Sequence, residues 1–363
     1  MTDRLSPRRL NRATLARQML LAREAVPVVG AVERLGGLQA QEPRPPFVAL
    51  WTRIADFDRE QLAAALRERR LVRATSFRAT LHLMSAADYL ALRGLLQPVL
   101  TQALRALGDR AAGLEIDQVL PAARRLFAEA PRTFDEVRNR LVEQFPTVDD
   151  RALGYVTRMC LPLVMVPTDD RWGFPSNAAF ALADEWLGAT PRTDTPREHL
   201  VLRYLGAFGP ATPGDAQEWS GLQGLRPTFE ALRPRLRTFR DERGRELFDL
   251  PDAPRPDEEV DAPARFLPDF DSLVLAHADR TRVLADEHRG KVATRNLRIN
   301  ATFLVDGFAA GTWRIERKRG TATLRASPFA PLPAGAPRAL GDEGERLLRF
   351  VEPDATSFDV RLE

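Results

Sequence analysis

One local grammar, helical stretches followed by a short hairpin, returns three times in this 363-residue chain, and that recurrence restricts the fold more than any other feature of the sequence. In the first round, residues 12–24 read as an amphipathic helix, Pro27 opens a second running to about Leu35, and Pro45 to Trp51 begins a third. Residues 58–70 add a fourth, with Asp58 as N-cap and Gln61 three positions on. The period then changes from helical to alternating over Leu71 to Met84, which predicts paired short strands. In the second round, Thr133 and Glu136 form a capping box for a helix to about Phe145, and Asp149 or Asp150 caps another through Met159. Leu163 to Val166 and Trp172 to Phe174 would be its hairpin, turning at Thr168 to Arg171. The third round has helices near 197–207, 212–219 and 226–234, then strands Leu236 to Phe239 and Glu246 to Leu250 joined through Gly244. The spacing is irregular, which excludes a solenoid repeat.

Helices closed by a hairpin wing make a winged-helix pattern. The expected fold is therefore α+β and mostly helical: three tandem winged-helix modules, residues 1–110, 111–190 and 191–250, followed by a mainly β module over 251–363. The proline-rich acidic run 251–263 reads as the linker. Beyond it, Phe270 to Leu275 and Ala301 to Val305 read as strands, and Asp306-Gly307 is a tight-turn signal. Phe308 to Glu316 should return antiparallel, Thr321 to Ala326 adds a strand, and Gly341 to Val351 reads as a helix. Several such modules within one chain lead us to expect a monomer.

Composition mainly removes alternatives. Hydrophobic residues at 44% and charged residues at 28% describe a globular chain rather than a disordered one. Cys160 is the one cysteine, so no disulfide framework or cysteine metal site is available, and the four histidines lack metal-ligand spacing. No phosphate-cradling glycine loop, zincin helix, nucleophile elbow or dinucleotide fingerprint occurs, so no metal, nucleotide or other cofactor is expected. Arginines break the stretch Met1 to Leu20, which lacks an apolar signal core, and no apolar run is long enough to span a membrane, so a cytoplasmic protein is expected. Lys291 and Lys318 are the only lysines among 53 cations. Arginine suits bidentate phosphate contacts, and a GC-rich coding sequence would produce the same bias.

The segment Gly36-Gly37-Leu38-Gln39-Ala40-Gln41-Glu42-Pro43 is the candidate site. The glycine pair stops the preceding helix, and Pro43 biases Glu42 away from helical geometry. In an extended chain Gln39 and Gln41 share one face while Leu38 and Ala40 anchor the other. Paired amides suit the holding of a water or the facing of a developing cation. They also suit a solvated loop, and the residues alone leave both readings open. Arg73, Arg78 and His82 lie along the first wing, where Arg78, Thr80 and His82 would share a strand face. A wing carrying arginine commonly meets DNA phosphate or the minor groove. Arg243 and Arg245 flank the tip of the third wing, and Arg314 belongs to a basic cluster with Arg317, Lys318 and Arg319. Arg78, His82, Arg243, Arg245 and Arg314 are the candidate DNA contacts, and solvated surface charge is the plain alternative.

In order, Leu38-Gln39-Ala40-Gln41, Thr80-Leu81-His82-Leu83, Ala276-His277-Ala278-Asp279-Arg280 and Val305-Asp306-Gly307 with Gly311-Thr312-Trp313-Arg314 resemble the AlkZ/YcaQ-like winged-helix DNA glycosylases of bacteria. The glutamine at position 41 is similar to the AlkZ-like, Gln-x-Gln branch, where the other branch has aspartate; Ala40 is small for the aliphatic middle position. The resemblance implies Gln39 and Gln41 as catalytic residues and hydrolysis of the N-glycosidic bond of N7-alkylated purines in double-stranded DNA, possible substrates including bulky adducts and interstrand crosslinks. That activity belongs to base excision repair of alkylation damage. An N7-alkylated purine already carries positive charge and leaves without a strong general acid, so fixed amide dipoles can suffice to place a water and face an oxocarbenium-like sugar. Only two lysines are available for a Schiff base, so a monofunctional hydrolase is expected. The alternative is a non-enzymatic winged-helix DNA-binding protein, a regulator or a damage sensor, with a structural glutamine pair.

Overall fold

The computed structural model describes residues 3–294 and 298–363. Several helices start where the sequence supplies a side-chain cap. Asp58 and Gln61 form a reciprocal capping box on the helix Arg59–Arg67, and Thr133 and Glu136 do the same for Phe134–Gln144. The first helix departs from expectation. It runs Pro7–Arg17 rather than 12–24, because Ser6 caps it with its hydroxyl and Pro7 occupies the first turn.

The strands form three sheets among the described residues. The five-stranded sheet that carries the glutamine segment runs 38–39, 81–85, 71–75, 163–165, 180–182. It joins the hairpins of the first two sequence rounds edge to edge, through a pairing of Ala74 with Val164. The expected strand Trp172 to Phe174 is absent. Thr168 to Gly173 closes as a turn, with the Thr168 amide donating to the Gly173 carbonyl at 2.8 Å, and Trp172 packs edge-on against Phe47 with ring centroids 5.2 Å apart. Its apolar surface serves the core instead of a ladder, and the partner of Leu163–Met165 is Phe180–Leu182.

In the third round, Arg237–Asp241 and Glu246–Asp249 form the expected hairpin, and Arg4–Leu5 adds a parallel strand outside it. The C-terminal sheet runs 357–362, 321–328, 308–318, 302–305, 265–267, with the helix Ala336–Val351 packed on it. The strand expected at Phe270 to Leu275 is instead a short 3-10 turn, Ser272–Val274, capped by Asp271, and the sheet takes Arg265–Leu267.

Buried ion pairs tie these parts together. Arg17 meets Asp249 through two bonds of 2.8 Å, and Arg53 meets Asp271 through two of 2.9 Å, all four side chains almost wholly buried. The first helix also docks on the C-terminal hairpin. The Asn11 side-chain amide donates to the carbonyls of Arg282 and Gly307, each at 2.8 Å, and Arg12 pairs with Asp306. Gly307 has φ +80°, and a Cβ there would lie 2.5 Å from Leu15, so the turn admits the helix only as glycine. No helix among the described residues is long and apolar enough to cross a membrane.

Candidate functional site

The glutamine segment is an edge strand held from both sides. The helix Val28–Arg34 ends at Gly36 and Gly37, with φ +70° and +83°, which turn the chain back onto its neighbour. Leu38–Gln39 then pairs antiparallel with Leu81–Ser85, placing Gln39 opposite His82, and the Ala40 amide donates to the Leu81 carbonyl at 2.7 Å. Beyond the ladder, Arg73 donates from Nε to the Ala40 carbonyl at 2.8 Å and from Nη2 to the Gln41 carbonyl at 3.1 Å. Leu38 and Ala40 are buried in the core, as the alternation predicts.

The two glutamine side chains differ in setting. Gln39 is 8% exposed, and its Oε1 accepts from Arg78 Nη2 at 2.6 Å. Gln41 is exposed, and its Oε1 accepts from the Leu81 amide at 2.9 Å. Both partners can only donate, so each amide is fixed with its oxygen toward the partner and its NH2 group away. Each carbonyl oxygen keeps a second lone pair. Gln41 faces a cleft of about 360 Å³, lined by Arg73, Leu81, Phe134, Arg158, Asn177 and Phe180. Gln39 lies outside that lining, against Arg78.

Two expected DNA contacts are turned inward. Arg78 does not share a strand face with Thr80 and His82. It sits in the turn between the strands with φ +52°, followed by Ala79 at +57°, and its guanidinium reaches Gln39 and the Trp219 carbonyl. Burial lowers its pKa to about 10, so it stays cationic. His82 is 2% exposed, contacts the Thr80 carbonyl through Nδ1 at 3.1 Å, and stands edge-on to Phe77. Burial, with Arg78 adding to it, pushes its pKa down to about 3, which leaves a neutral ring with no face for a phosphate.

The other three candidates are surface residues that already have carboxylate partners. Arg243 and Arg245 both bond Asp279, at 3.0 and 2.6 Å, and Arg245 also bonds Asp241. Burial opposes ionisation of Asp279, but hydrogen bonds from Thr281 and Arg245 hold its carboxyl down to about 2. Arg314 lies 3.0 Å from Glu316 and 3.7 Å from Glu363. His277 is buried, with Nε2 against the Phe208 carbonyl at 3.0 Å, and belongs to the core. None of these residues is among those lining the cleft beside Gln41. Arg158, on the helix Asp150–Cys160, does line it and is absent from the sequence-based candidates. Its place depends on the pairing of Ala74 with Val164, for which the sequence carries no local signal. Among the described residues, no group of three or more His, Cys, Asp or Glu could hold a metal ion.

The profile of the family described as "DNA glycosylase AlkZ-like" matches residues 32–350. An "Interstrand DNA cross-link repair glycosylase" from Streptomyces sahachiroi is 28% identical over 83% of this chain and 85% of its own length. The solved structure of the Streptomyces sahachiroi DNA glycosylase AlkZ superposes with a TM-score of 0.79, covering 99% of this chain and all of that one at 24% identity, a likeness of fold.

Proposed function

The chain belongs to the AlkZ-like DNA glycosylase family, and on that premise we propose that it is a monofunctional hydrolase of the N-glycosidic bond of N7-alkylated purines in duplex DNA, bulky adducts and interstrand crosslinks included. Gln39 and Gln41 carry the reaction jointly. The observation that supports this is the preset orientation of both amides: the ladder and Arg73 fix the backbone, and Arg78 and the Leu81 amide fix the side chains. Preorganised dipoles need no rearrangement as positive charge develops on the sugar. The remaining lone pairs of Oε1 can hold a water on the face opposite the leaving base, and the cationic purine departs without a strong acid.

Neither Lys291 nor Lys318 lines the cleft, which accords with direct attack by water rather than by an amine. Three winged-helix modules, residues 1–110, 111–190 and 191–250, and the β module 251–363 make up the DNA-binding body, and the protein acts as a monomer. Arg243, Arg245 and Arg314 are peripheral DNA contacts, each exchanging its carboxylate for phosphate. The test is base release from duplex DNA containing N7-methylguanine, measured under single turnover for the wild type, Gln39→Ala, Gln41→Ala and the double variant. Release should fall by about a hundredfold or more in the double variant; release at the wild-type rate would overturn the catalytic assignment.

A further inference from the structure

The cleft beside Gln41 contains two guanidiniums that no carboxylate among the described residues neutralises. Arg73 is 3% exposed and lies over the Phe174 ring at 5.0 Å, while half-buried Arg158 lies over Phe134 at 5.8 Å. Arg158 makes one protein hydrogen bond among the described residues, from Nε to the Thr75 hydroxyl at 3.3 Å, and neither arginine has an ion pair there. The buried guanidiniums of Arg17, Arg53 and Arg265 each meet an aspartate or a glutamate, and those of Arg93 and Arg282 are held by neutral oxygen acceptors, whereas both Nη atoms of Arg158 have neither among the described residues. Glu42, the carboxylate on the cleft wall, is directed to Arg298 at 3.5 Å.

Holding the backbone of Ala40 and Gln41 accounts for Nε and Nη2 of Arg73. It does not account for Nη1, nor for either Nη atom of Arg158, all of which lack a protein acceptor among the described residues. Two like charges drawn out of water toward one another are unfavourable. Burial, with Arg158 adding to it, lowers Arg73 to about 10, and burial lowers Arg158 as well, so both remain cations that repel. An anion between them would relieve both penalties.

We infer that Arg73 and Arg158 form a phosphodiester site that grips a DNA backbone phosphate beside the nucleotide whose sugar faces Gln41. The inference builds on the catalytic reading of Gln41. In a nucleotide the flanking phosphates hang from C5′ and C3′ of the same sugar whose C1′ loses its base. A group acting at C1′ and a cradle for a neighbouring phosphate therefore belong in one cleft, and forked N–H donors match phosphate oxygens. Arg73 then links the two functions: the guanidinium that meets the phosphate also holds the carbonyl of Gln41 in place.

The experiment measures binding to a duplex with a single hydrolysis-resistant N7-methyl-2′-fluoro-deoxyguanosine, in which the flanking phosphates are replaced one at a time by neutral methylphosphonates. For the wild type, one replacement should weaken binding about tenfold and flatten the slope of log K against log salt by about 0.9. Arg158→Gln should bind the natural duplex more weakly than the wild type and lose less on that same replacement, since Arg73 alone still meets the phosphate. A wild type indifferent to every flanking replacement would overturn the site, and that scan requires no variant to fold. Equal loss by Arg158→Gln on natural and neutralised duplexes would reduce Arg158 to a structural role and overturn it too. Base release by the Gln39/Gln41 double variant is a separate readout, so failure of the catalytic reading and failure of the phosphate site are distinguishable.

Discussion

Acid should weaken this protein through His82. The ring is buried against Phe77 beside the Arg78 guanidinium, and its pKa in the fold is about 3, whereas an unfolded histidine takes its proton near 6.5. Between those values the unfolded chain binds a proton that the folded chain refuses. Stability therefore rises with pH across the window and is lost as pH falls from about 6.5 toward 3. At about pH 5, some 1.5 units below the unfolded value, the loss from this one residue is about 2 kcal/mol at 1.36 kcal/mol per unit. Asp279, held down to about 2, contributes nothing so early. The assay compares urea unfolding of the wild type and His82→Gln at about pH 7.5 and about pH 5. The wild type should lose about 2 kcal/mol more than the variant over that step. His277, likewise depressed by burial and by Arg282, is present in both proteins and cancels. An identical loss in the two proteins would refute the argument, as would an NMR signal of the His82 ring that titrates near neutral pH. Gln39 pairs with His82 in register, so the strand that carries His82 is the neighbour on which the candidate site rests.

Two further outcomes follow from individual contacts. Arg53→Met leaves Asp271 buried without its partner and should lower stability by about 3–5 kcal/mol, while Arg53→Met/Asp271→Leu should recover most of it; thermal melting of both variants decides. Arg78→Met frees the Gln39 amide and should reduce kcat about tenfold with KM nearly unchanged, whereas a raised KM with a shallower salt slope would mark Arg78 as a phosphate contact instead.

What the sequence made legible was local chemistry. The capping boxes at Asp58 and Thr133, the Asp306-Gly307 turn and the burial of Leu38 and Ala40 depend on neighbours a few positions away, and each is found in the structure; the shared face for Gln39 and Gln41 is not, because the strand ends at Gln39, which is buried against Arg78 while Gln41 opens on the cleft. Local caps at Ser6 and Asp271 displace the first helix and replace a strand with a 3-10 turn; the other misreadings concern contacts between distant segments. Trp172 and Phe174 carry strand-forming residues, yet Phe47 across the core decides where Trp172 goes. The parallel strand Ser357–Leu362 gave no local sign because its register is set by Thr321–Pro328. Arg78 reads as an exposed wing residue until the two left-handed positions at its turn point it at Gln39. The glutamines could thus be named from the sequence, but not what holds them, nor the arginine pair beside them.

The docking of the first helix has a consequence for how the chain is made. Asn11 and Arg12 require the carbonyls and carboxylate of Asp306 and Gly307, and Arg17 requires Asp249. On the ribosome these partners emerge hundreds of residues after the helix that awaits them, at about 5–20 residues per second. The amino-terminal segment therefore leaves the exit tunnel with its inward-facing arginines uncompensated, and the first helix cannot lock into its final arrangement until those partners follow, although the sheet over residues 38–182 lies wholly upstream of them. Closure comes last, when the hairpin at Gly307 folds back to receive the helix. An unfinished chain is for that reason an open one, and protease sensitivity of the Pro7–Arg17 segment in stalled nascent chains would report the moment at which the two ends meet.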